Sequence, residues 1–231
     1  MTKHSKRYVQ AAAKVDAGRV YGPNEALQVL KSLPPAKFDE TVEIAVHLGI
    51  DPKKTDQLVR GAVSLPKGLG KKIKVIVFAE GDKAAAAKEA GADEVGSGEL
   101  ADKVLGGWTD FDICIASPDM MKHVGKLGKV LGPQGKMPSP KSGTVTPDVA
   151  NAVKEFKAGK VEFRTDAGGN VHAPLGKKSF ALEDLQANLT AFLEHISTLR
   201  PPAVKGAFLR KISVSTTMGP GVLISWEVTH V

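Results

Sequence analysis

Glycine, proline and lysine are concentrated in one stretch of the chain, residues 123–141, which contains no acidic residue. Glycine lets the backbone turn without a Cβ penalty, and Lys126, Lys129, Lys136 and Lys141 make the stretch strongly positive. A basic, glycine-rich loop of this kind is typical of a site where the backbone approaches an anion. A solvated loop that closes a helix has the same composition. The residues therefore predict a loop and leave its ligand open.

This stretch matches neither of the common phosphate-binding motifs. A P-loop places a glycine five residues before its Gly-Lys pair, but the residue five positions before Gly135 is Val130. A dinucleotide-binding fingerprint requires a third glycine, and Ala101 stands at that position after the Gly-Ser-Gly sequence. We therefore expect no nucleotide cofactor bound through either motif, and no other cofactor.

The composition is that of a soluble protein with one or two domains. The chain has 231 residues, of which 42% are hydrophobic, and this is enough to bury a full core. No apolar run approaches the ~18 residues of a membrane span, and the start lacks a secretory apolar core, so we expect a cytoplasmic protein without membrane contact. Cys114 is the single cysteine, and the six histidines show no metal-ligand spacing. We expect no metal.

Positive charge is concentrated in the two ends of the chain. The net charge is +7, and residues 68–159 supply only +1 of it, from 13 Lys and 12 acidic residues. The flanks hold 19 Lys and Arg against 13 acidic residues, which gives +6, and they contain every arginine. Because Lys and Arg neutralise phosphates, the flanks are a candidate polyanion-binding region. A solubilising surface charge is the alternative.

The middle of the chain alternates strand and helix signals. An apolar run over 72–79 is followed by an alanine-rich helix pattern over 82–90, and the alternation continues with a short strand at 94–95, a helix over 99–105, a strand over 112–116 and a helix from Pro118. Such alternation predicts a parallel sheet covered on both faces. Loops at the carboxyl ends of parallel strands often bind ligands, which makes Ser117 and Asp119 candidates for an enzyme site. Asp110 and Asp112 form a possible acid/base pair or are merely solubilising.

The flanks show half-buried strands instead. Thr41–Leu48 alternates strictly between apolar and polar residues, so one face must meet water or a partner. The other predicted elements are strands over 161–166, 211–217 and 222–228, a turn at Gly168–Gly169, and helices over 5–17, 24–33 and 182–199. The ends therefore predict one antiparallel α+β domain, residues 1–67 plus 160–231, interrupted by an inserted α/β domain over 68–159.

Several blocks of sequence resemble the bacterial ribosomal protein L-one family, whose members belong to the mobile stalk of the large ribosomal subunit. The blocks cover nearly the whole chain and are 37–43, 48–51, 59–61, 125–138, 141–145 and 215–219. The resemblance implies a split terminal domain that binds large-subunit ribosomal RNA and an inserted Rossmann-like domain. It also implies release of deacylated tRNA from the exit site and repression of the protein's own operon through its mRNA. Such a protein is not an enzyme, and we expect a monomer when it is free.

The resemblance further implies a set of RNA contacts, most of them on polar strand faces: Lys37, Phe38, Thr41, Glu43, Arg164, Asp166, His172, Ser215, Thr217, Met218 and Gly219. The two carboxylates suit RNA because they can accept hydrogen bonds from ribose 2′-hydroxyls. Core positions are the alternative for Phe38 and Met218, and a simple hairpin turn is the alternative for residues 217–219; the resemblance favours RNA contacts. Ser139 and Thr165 depart from the asparagine expected at each position.

The low aromatic content restricts how RNA would be bound. Only 5% of residues are aromatic, and no strand carries paired aromatics for stacking splayed bases. The sequence therefore favours structured RNA, recognised by shape and 2′-hydroxyl groups. Two alternatives remain: an enzyme that uses a nucleotide or phosphometabolite at the Gly/Lys loop, and a protein-interaction module built on the insertion.

Overall fold

The computed structural model describes residues 4–226 and shows a mixed α/β protein. Its contacts divide the chain into two compact units. The split unit comprises the chain up to Gly70 together with the chain from Val161 onward, and the middle unit is Lys71–Lys160. The domain changes predicted from sequence lay after residues 67 and 159. Within the described residues, no helix is both long and apolar enough to cross a bilayer.

The helices and strands are short, and most lie close to the segments predicted from sequence. In chain order the helices are α1 (Lys6–Ala12), α2 (Pro23–Ser32), α3 (Asp82–Glu89), α4 (Gly98–Leu105), α5 (Met121–Val124), α6 (Gly128–Gln134), α7 (Val149–Ala158) and α8 (Leu182–Thr198). The strands are β1 (Thr41–Leu48), β2 (Arg60–Ser64), β3 (Val75–Phe78), β4 (Glu94–Gly96), β5 (Ile113–Ala116), β6 (Lys160–Arg164), β7 (Asn170–Lys177), β8 (Leu209–Thr216) and β9 (Val222–Ile224).

The split unit is built on a four-stranded sheet in the order β7-β1-β8-β9, with antiparallel neighbours. The alternation in β1 buries Val42, Ile44, Val46 and Leu48, and these side chains share a core with residues of α2 and α8. Strands β2 and β6 form a separate two-stranded sheet. The predicted first helix is too long, because α1 ends at Ala12 and Asp16 Oδ1 accepts from the Gly18 N–H in a turn instead. Of the predicted last strand, residues 227–228 lie outside the described residues.

The middle unit contains the predicted parallel sheet, in the order β4-β3-β5. All four residues of β3 are buried, because the strand is covered on both faces. Ile76 and Phe78 belong to one apolar cluster with α4, whereas Val75 and Val77 belong to another with α7. This two-sided burial is the reason that the strand reads as a continuous apolar run.

The predicted loop over residues 123–141 is wrong for its first part, because the backbone is helical as far as Gln134. Helix α5, a 3₁₀ turn at Gly125–Leu127 and helix α6 follow one another directly. Val124, Leu127 and Leu131 recur at helical spacing and are fully buried, so core packing overrides the low helix propensity of glycine. The left-handed Gly135, with φ 71°, ends the helix, and the irregular part begins there.

Glycines in this helical segment differ in what their conformation requires. Gly125 has a right-handed φ of −56°, and an added Cβ would meet nothing within 4 Å. We expect Gly125→Ala to raise the free energy of unfolding by about 0.5–1 kcal/mol, because alanine loses less conformational entropy in a helix. Gly135→Ala is the matched control and should lower it by about 1–2 kcal/mol, because alanine is strained at positive φ. Urea denaturation of both variants measures the pair, and a destabilised Gly125→Ala would contradict the first expectation.

Candidate nucleic-acid interface

The register of the four-stranded sheet gathers four of the predicted RNA contacts, Thr41, Glu43, His172 and Ser215, on one face. Glu43 of β1 lies opposite Ser215 of β8, and Ala45 lies opposite both Ser213 of β8 and His172 of β7. Directly opposed residues are within about 5 Å of one another. We call this side of the sheet the outer face; it consists of Thr41, Glu43, Ala45, His47, Asn170, His172, Lys211, Ser213 and Ser215. Its groups are hydroxyls, imidazoles, an amide, a carboxylate and an ammonium, which can donate to or accept from a ribose edge.

Two large apolar side chains are exposed close to the Thr41 end of this face. Phe38, three residues before β1, is 54% exposed, and Met218, two residues after β8, is 50% exposed. The alternative that these residues belong to the core is therefore wrong. Lys37 is exposed beside Phe38. An exposed aromatic ring and an exposed thioether next to polar strands give a surface that can pack on a base or a sugar while the strands hydrogen-bond to it.

The turn after β8 is held to β1 by backbone and side-chain hydrogen bonds. The Thr217 N–H donates to the Thr41 carbonyl oxygen at 3.0 Å, and Thr217 Oγ1 accepts from the Thr41 N–H at 2.9 Å. Gly219 packs so closely that an added Cβ would lie 2.4 Å from Thr216 Oγ1. Packing within the protein therefore requires glycine at position 219, whether or not this residue contacts RNA. Residues 217–219 are a fixed turn in which Thr217 and Met218 are exposed and Gly219 is partly buried.

Asp166 is engaged in organising the turn between β6 and β7. Its Oδ1 accepts from the backbone N–H groups of Gly168 at 2.8 Å and Asn170 at 2.7 Å. Its Oδ2 lies 3.5 Å from His172 Nε2, so the carboxylate also orients an imidazole of the outer face. The Asn170 N–H above all, with the Asn170 amide and the Gly168 N–H, holds the pKa of Asp166 below its usual value.

The lowered pKa of Asp166 gives a prediction for the turn at acidic pH. Because the folded-state pKa lies below the unfolded-state value, ionisation stabilises the turn fully above the ordinary value of 3.8. That stabilisation is lost as the pH falls through the folded-state pKa. In an NMR titration, the amide signals of Gly168 and Asn170 should move together with a midpoint below 3.8. A midpoint at or above 3.8 would contradict the hydrogen-bond assignment.

The remaining predicted residue, Arg164, is not a member of the outer face, although the next residue, Thr165, bridges to Val171 of β7. Arg164 is exposed at the end of β6, which pairs with β2 and not with the four-stranded sheet. Conversely, the outer face contains residues absent from the predicted set. His47 Nδ1 lies 2.9 Å from Asn170 Oδ1, and Ser213 and Lys211 share the face with them. The period-two pattern of β1 and β8 was the signal for His47, Lys211 and Ser213.

The middle unit offers a crevice of about 280 Å³ at the carboxyl ends of β3 and β5, the place of the candidate enzyme site. It is lined by Glu80, Asp82, Lys83, Ser117, Asp119 and Met120. The one cation, Lys83, is already paired with Asp119 at 2.9 Å. An anionic crevice of this kind repels phosphates, which disfavours a nucleotide or phosphometabolite as its ligand.

Each carboxylate of the predicted acid/base pair, Asp110 and Asp112, forms an ion pair with a lysine. Asp110 binds Lys74 at 2.6 Å and Asp112 binds Lys71 at 2.7 Å. The Cys114 thiol is buried, and burial raises its pKa far above the usual range, so it is not a thiolate nucleophile. Within residues 4–226 there is no cluster of three or more histidine, cysteine or carboxylate side chains suited to a metal.

The fold and this surface are those of a mixed α/β protein that presents polar strands to solvent. The model of the ribosomal protein L1p/L10e family matches residues 30–220. Relatives named large ribosomal subunit protein uL1 include those of Cutibacterium acnes, 58% identical over 96% of both chains, and Kosmotoga olearia, 55% identical over 98% of both chains. A third, from an Azoarcus species, is 56% identical over 97% of both chains.

The chain belongs to the ribosomal protein L1p/L10e family. The resemblance seen in its sequence blocks is thereby confirmed. Its relatives are ribosomal proteins and not enzymes. In the middle unit, the candidate catalytic carboxylates Asp110, Asp112 and Asp119 are correspondingly paired with lysines.

Proposed function

We propose that this protein is a structural component of the large ribosomal subunit that binds its ribosomal RNA, at the mobile stalk, through the split unit. The outer face carries the proposal, because the register brings Glu43, Ser215 and His172 together from three strands that are far apart in sequence. Residues 1–67 and 160–231 are then the RNA-binding domain. The middle unit, with its parallel sheet between two layers of apolar packing, is the inserted Rossmann-like domain.

The chemistry of the surface supports recognition of folded RNA. Hydroxyl and carboxylate groups such as Ser215 and Glu43 can pair with ribose 2′-hydroxyls, which DNA lacks. Among the described residues, Phe38 is the one exposed phenylalanine, tyrosine or tryptophan, so the surface lacks the paired large rings that stack several splayed bases. Shape and sugar-edge contacts therefore provide the specificity, and peripheral lysines such as Lys37 provide a salt-dependent contribution.

A filter-binding titration of the full-length protein tests this function. A stem-junction fragment of large-subunit ribosomal RNA should bind more tightly than a plain RNA duplex of the same length. Lys37→Ala should weaken both RNAs by a similar small factor and reduce the salt slope by about 0.9, because one phosphate contact is lost. Equal binding of both RNAs by the unaltered protein, or no binding at low salt, would refute the proposed function. An unchanged slope would remove Lys37 from the interface.

The family resemblance extends the proposal to regulation and tRNA. The same surface would bind a site in the mRNA of its own operon that mimics the ribosomal site, and the stalk would assist release of deacylated tRNA from the exit site. The free protein would be a cytoplasmic monomer. Translation in vitro of a reporter behind the operon leader tests the first part: added protein should repress it, and an excess of the ribosomal RNA fragment should restore it.

A further inference from the structure

One arginine joins three segments of the chain at the Thr41 end of the outer face. Arg7, on α1, donates from Nη2 to the Met218 carbonyl oxygen at 2.8 Å. From Nη1 it reaches Glu40 Oε1 at 3.3 Å and the Pro34 carbonyl oxygen at 3.4 Å. The guanidinium therefore contacts both the turn that carries Met218 and the segment that carries Lys37 and Phe38.

The carboxylate partner of this arginine is buried. Glu40 is 1% exposed, its Oε1 also accepts from the Ala36 N–H at 2.9 Å, and its carbonyl accepts from the Lys178 N–H at 2.8 Å. Among the described residues, its Oε2 is buried and has no hydrogen-bond partner. A desolvated carboxylate with one oxygen unsatisfied depends strongly on its cation. Arg7 is thus held in one place by two groups, the buried Glu40 carboxylate and the Met218 carbonyl oxygen of the turn.

We propose that Arg7 is a positioning residue of the RNA-binding surface, which acts by holding Met218 and the Lys37–Phe38 segment in fixed relation to each other. The inference rests on the proposed RNA-binding function. Because the Arg7 side chain is only 27% exposed and its donors face protein oxygens, it acts through its neighbours and does not neutralise a phosphate. Lysine cannot replace it, because a single ammonium group lacks the planar fork that reaches two acceptors in different directions.

The test compares Arg7→Lys with Arg19→Lys in the full-length protein. Arg19 is a matched control, because it also pairs with a glutamate, Glu25 at 2.7 Å, but both partners are exposed and neither belongs to the outer face. Binding of the stem-junction RNA is measured over a range of salt concentrations. We expect Arg7→Lys to weaken binding at least tenfold with an unchanged salt slope, and Arg19→Lys to change affinity less than twofold. Unchanged affinity for Arg7→Lys, or a slope reduced by about 0.9, would overturn the positioning role.

A double variant separates positioning from a general loss of stability. Because Arg7 acts partly through Met218, Arg7→Lys combined with Met218→Ala should lose less affinity than the two single losses added together. Additive losses would overturn the inference. Should Arg7→Lys not fold, Glu40→Gln replaces it in the same cycle, because the amide keeps the shape and one acceptor while removing the charge that fixes Arg7. Failure of the unaltered protein to bind RNA would instead refute the proposed function, so the two failures are distinguishable.

Discussion

Replacing Met218 with alanine is expected to weaken binding of the stem-junction RNA by about tenfold to a hundredfold, the effect of truncating a central contact residue worth roughly 2 kcal/mol. Met218 is half exposed, and its backbone carbonyl, which Arg7 holds, is retained in the variant. The free energy of unfolding should therefore stay within about 0.5 kcal/mol of the unaltered protein. Filter binding and urea denaturation measure the two quantities.

Leu105→Ala is the control for Met218→Ala, because Leu105 is also a large exposed apolar residue but lies on α4 of the middle unit. It should leave RNA affinity unchanged. Thr217→Ala is also expected to weaken RNA binding without unfolding the protein, but it is a less direct probe, since the Thr217 hydroxyl accepts from the Thr41 N–H and its loss disturbs the turn itself. Unaltered affinity in Met218→Ala would remove this side chain from the interface.

Replacing Phe192 with alanine is expected to lower the free energy of unfolding by about 3–5 kcal/mol, the usual cost of deleting a buried phenyl ring. Phe192 lies in α8, is fully buried, and contacts the ring of Phe163 edge-on with centroids 5.6 Å apart. The cavity left by its removal lies between α8 and the strands, where close packing limits collapse. Urea denaturation monitored by far-ultraviolet circular dichroism measures the change.

Phe38→Ala is the control for Phe192→Ala, because it removes the same ring from an exposed position of the same unit. Its free energy of unfolding should change by less than about 0.5 kcal/mol. A loss below 1 kcal/mol in Phe192→Ala would show that the core adapts to the missing ring. A large loss in Phe38→Ala would mean that this ring stabilises the fold in spite of its exposure.

Strands were predicted well where the residue pattern reports burial directly. The alternation in Thr41–Leu48 reflects one buried face, and the observed β1 has the same bounds. The continuous apolar run around Val75–Phe78 likewise reflects burial on two faces. The helical segment up to Gln134 was missed because three glycines and a proline hid the buried spacing of Val124, Leu127 and Leu131.

The site was only partly accessible from the sequence, because its geometry depends on distant pairs. Arg7 and Met218 are 211 residues apart, and no local pattern indicates that a guanidinium from one end of the chain binds a carbonyl at the other. The internal role of Asp166 was missed for a similar reason. A carboxylate beside two glycines reads as a polar surface group, whereas the folded turn directs the Gly168 and Asn170 N–H groups at it.

The strand order β7-β1-β8-β9 has a consequence for synthesis of the chain. Strand β1 comes from the amino-terminal part, but both of its neighbours come from the last third. It therefore has no sheet partner until β7 has been translated, and it lacks its second partner until β8 follows. The middle unit is continuous in sequence and can form earlier, since its pairings span shorter loops. A nascent chain that ends before residue 209 therefore lacks three of the nine outer-face residues, Lys211, Ser213 and Ser215. Under the proposed function, full RNA binding requires translation to be almost complete.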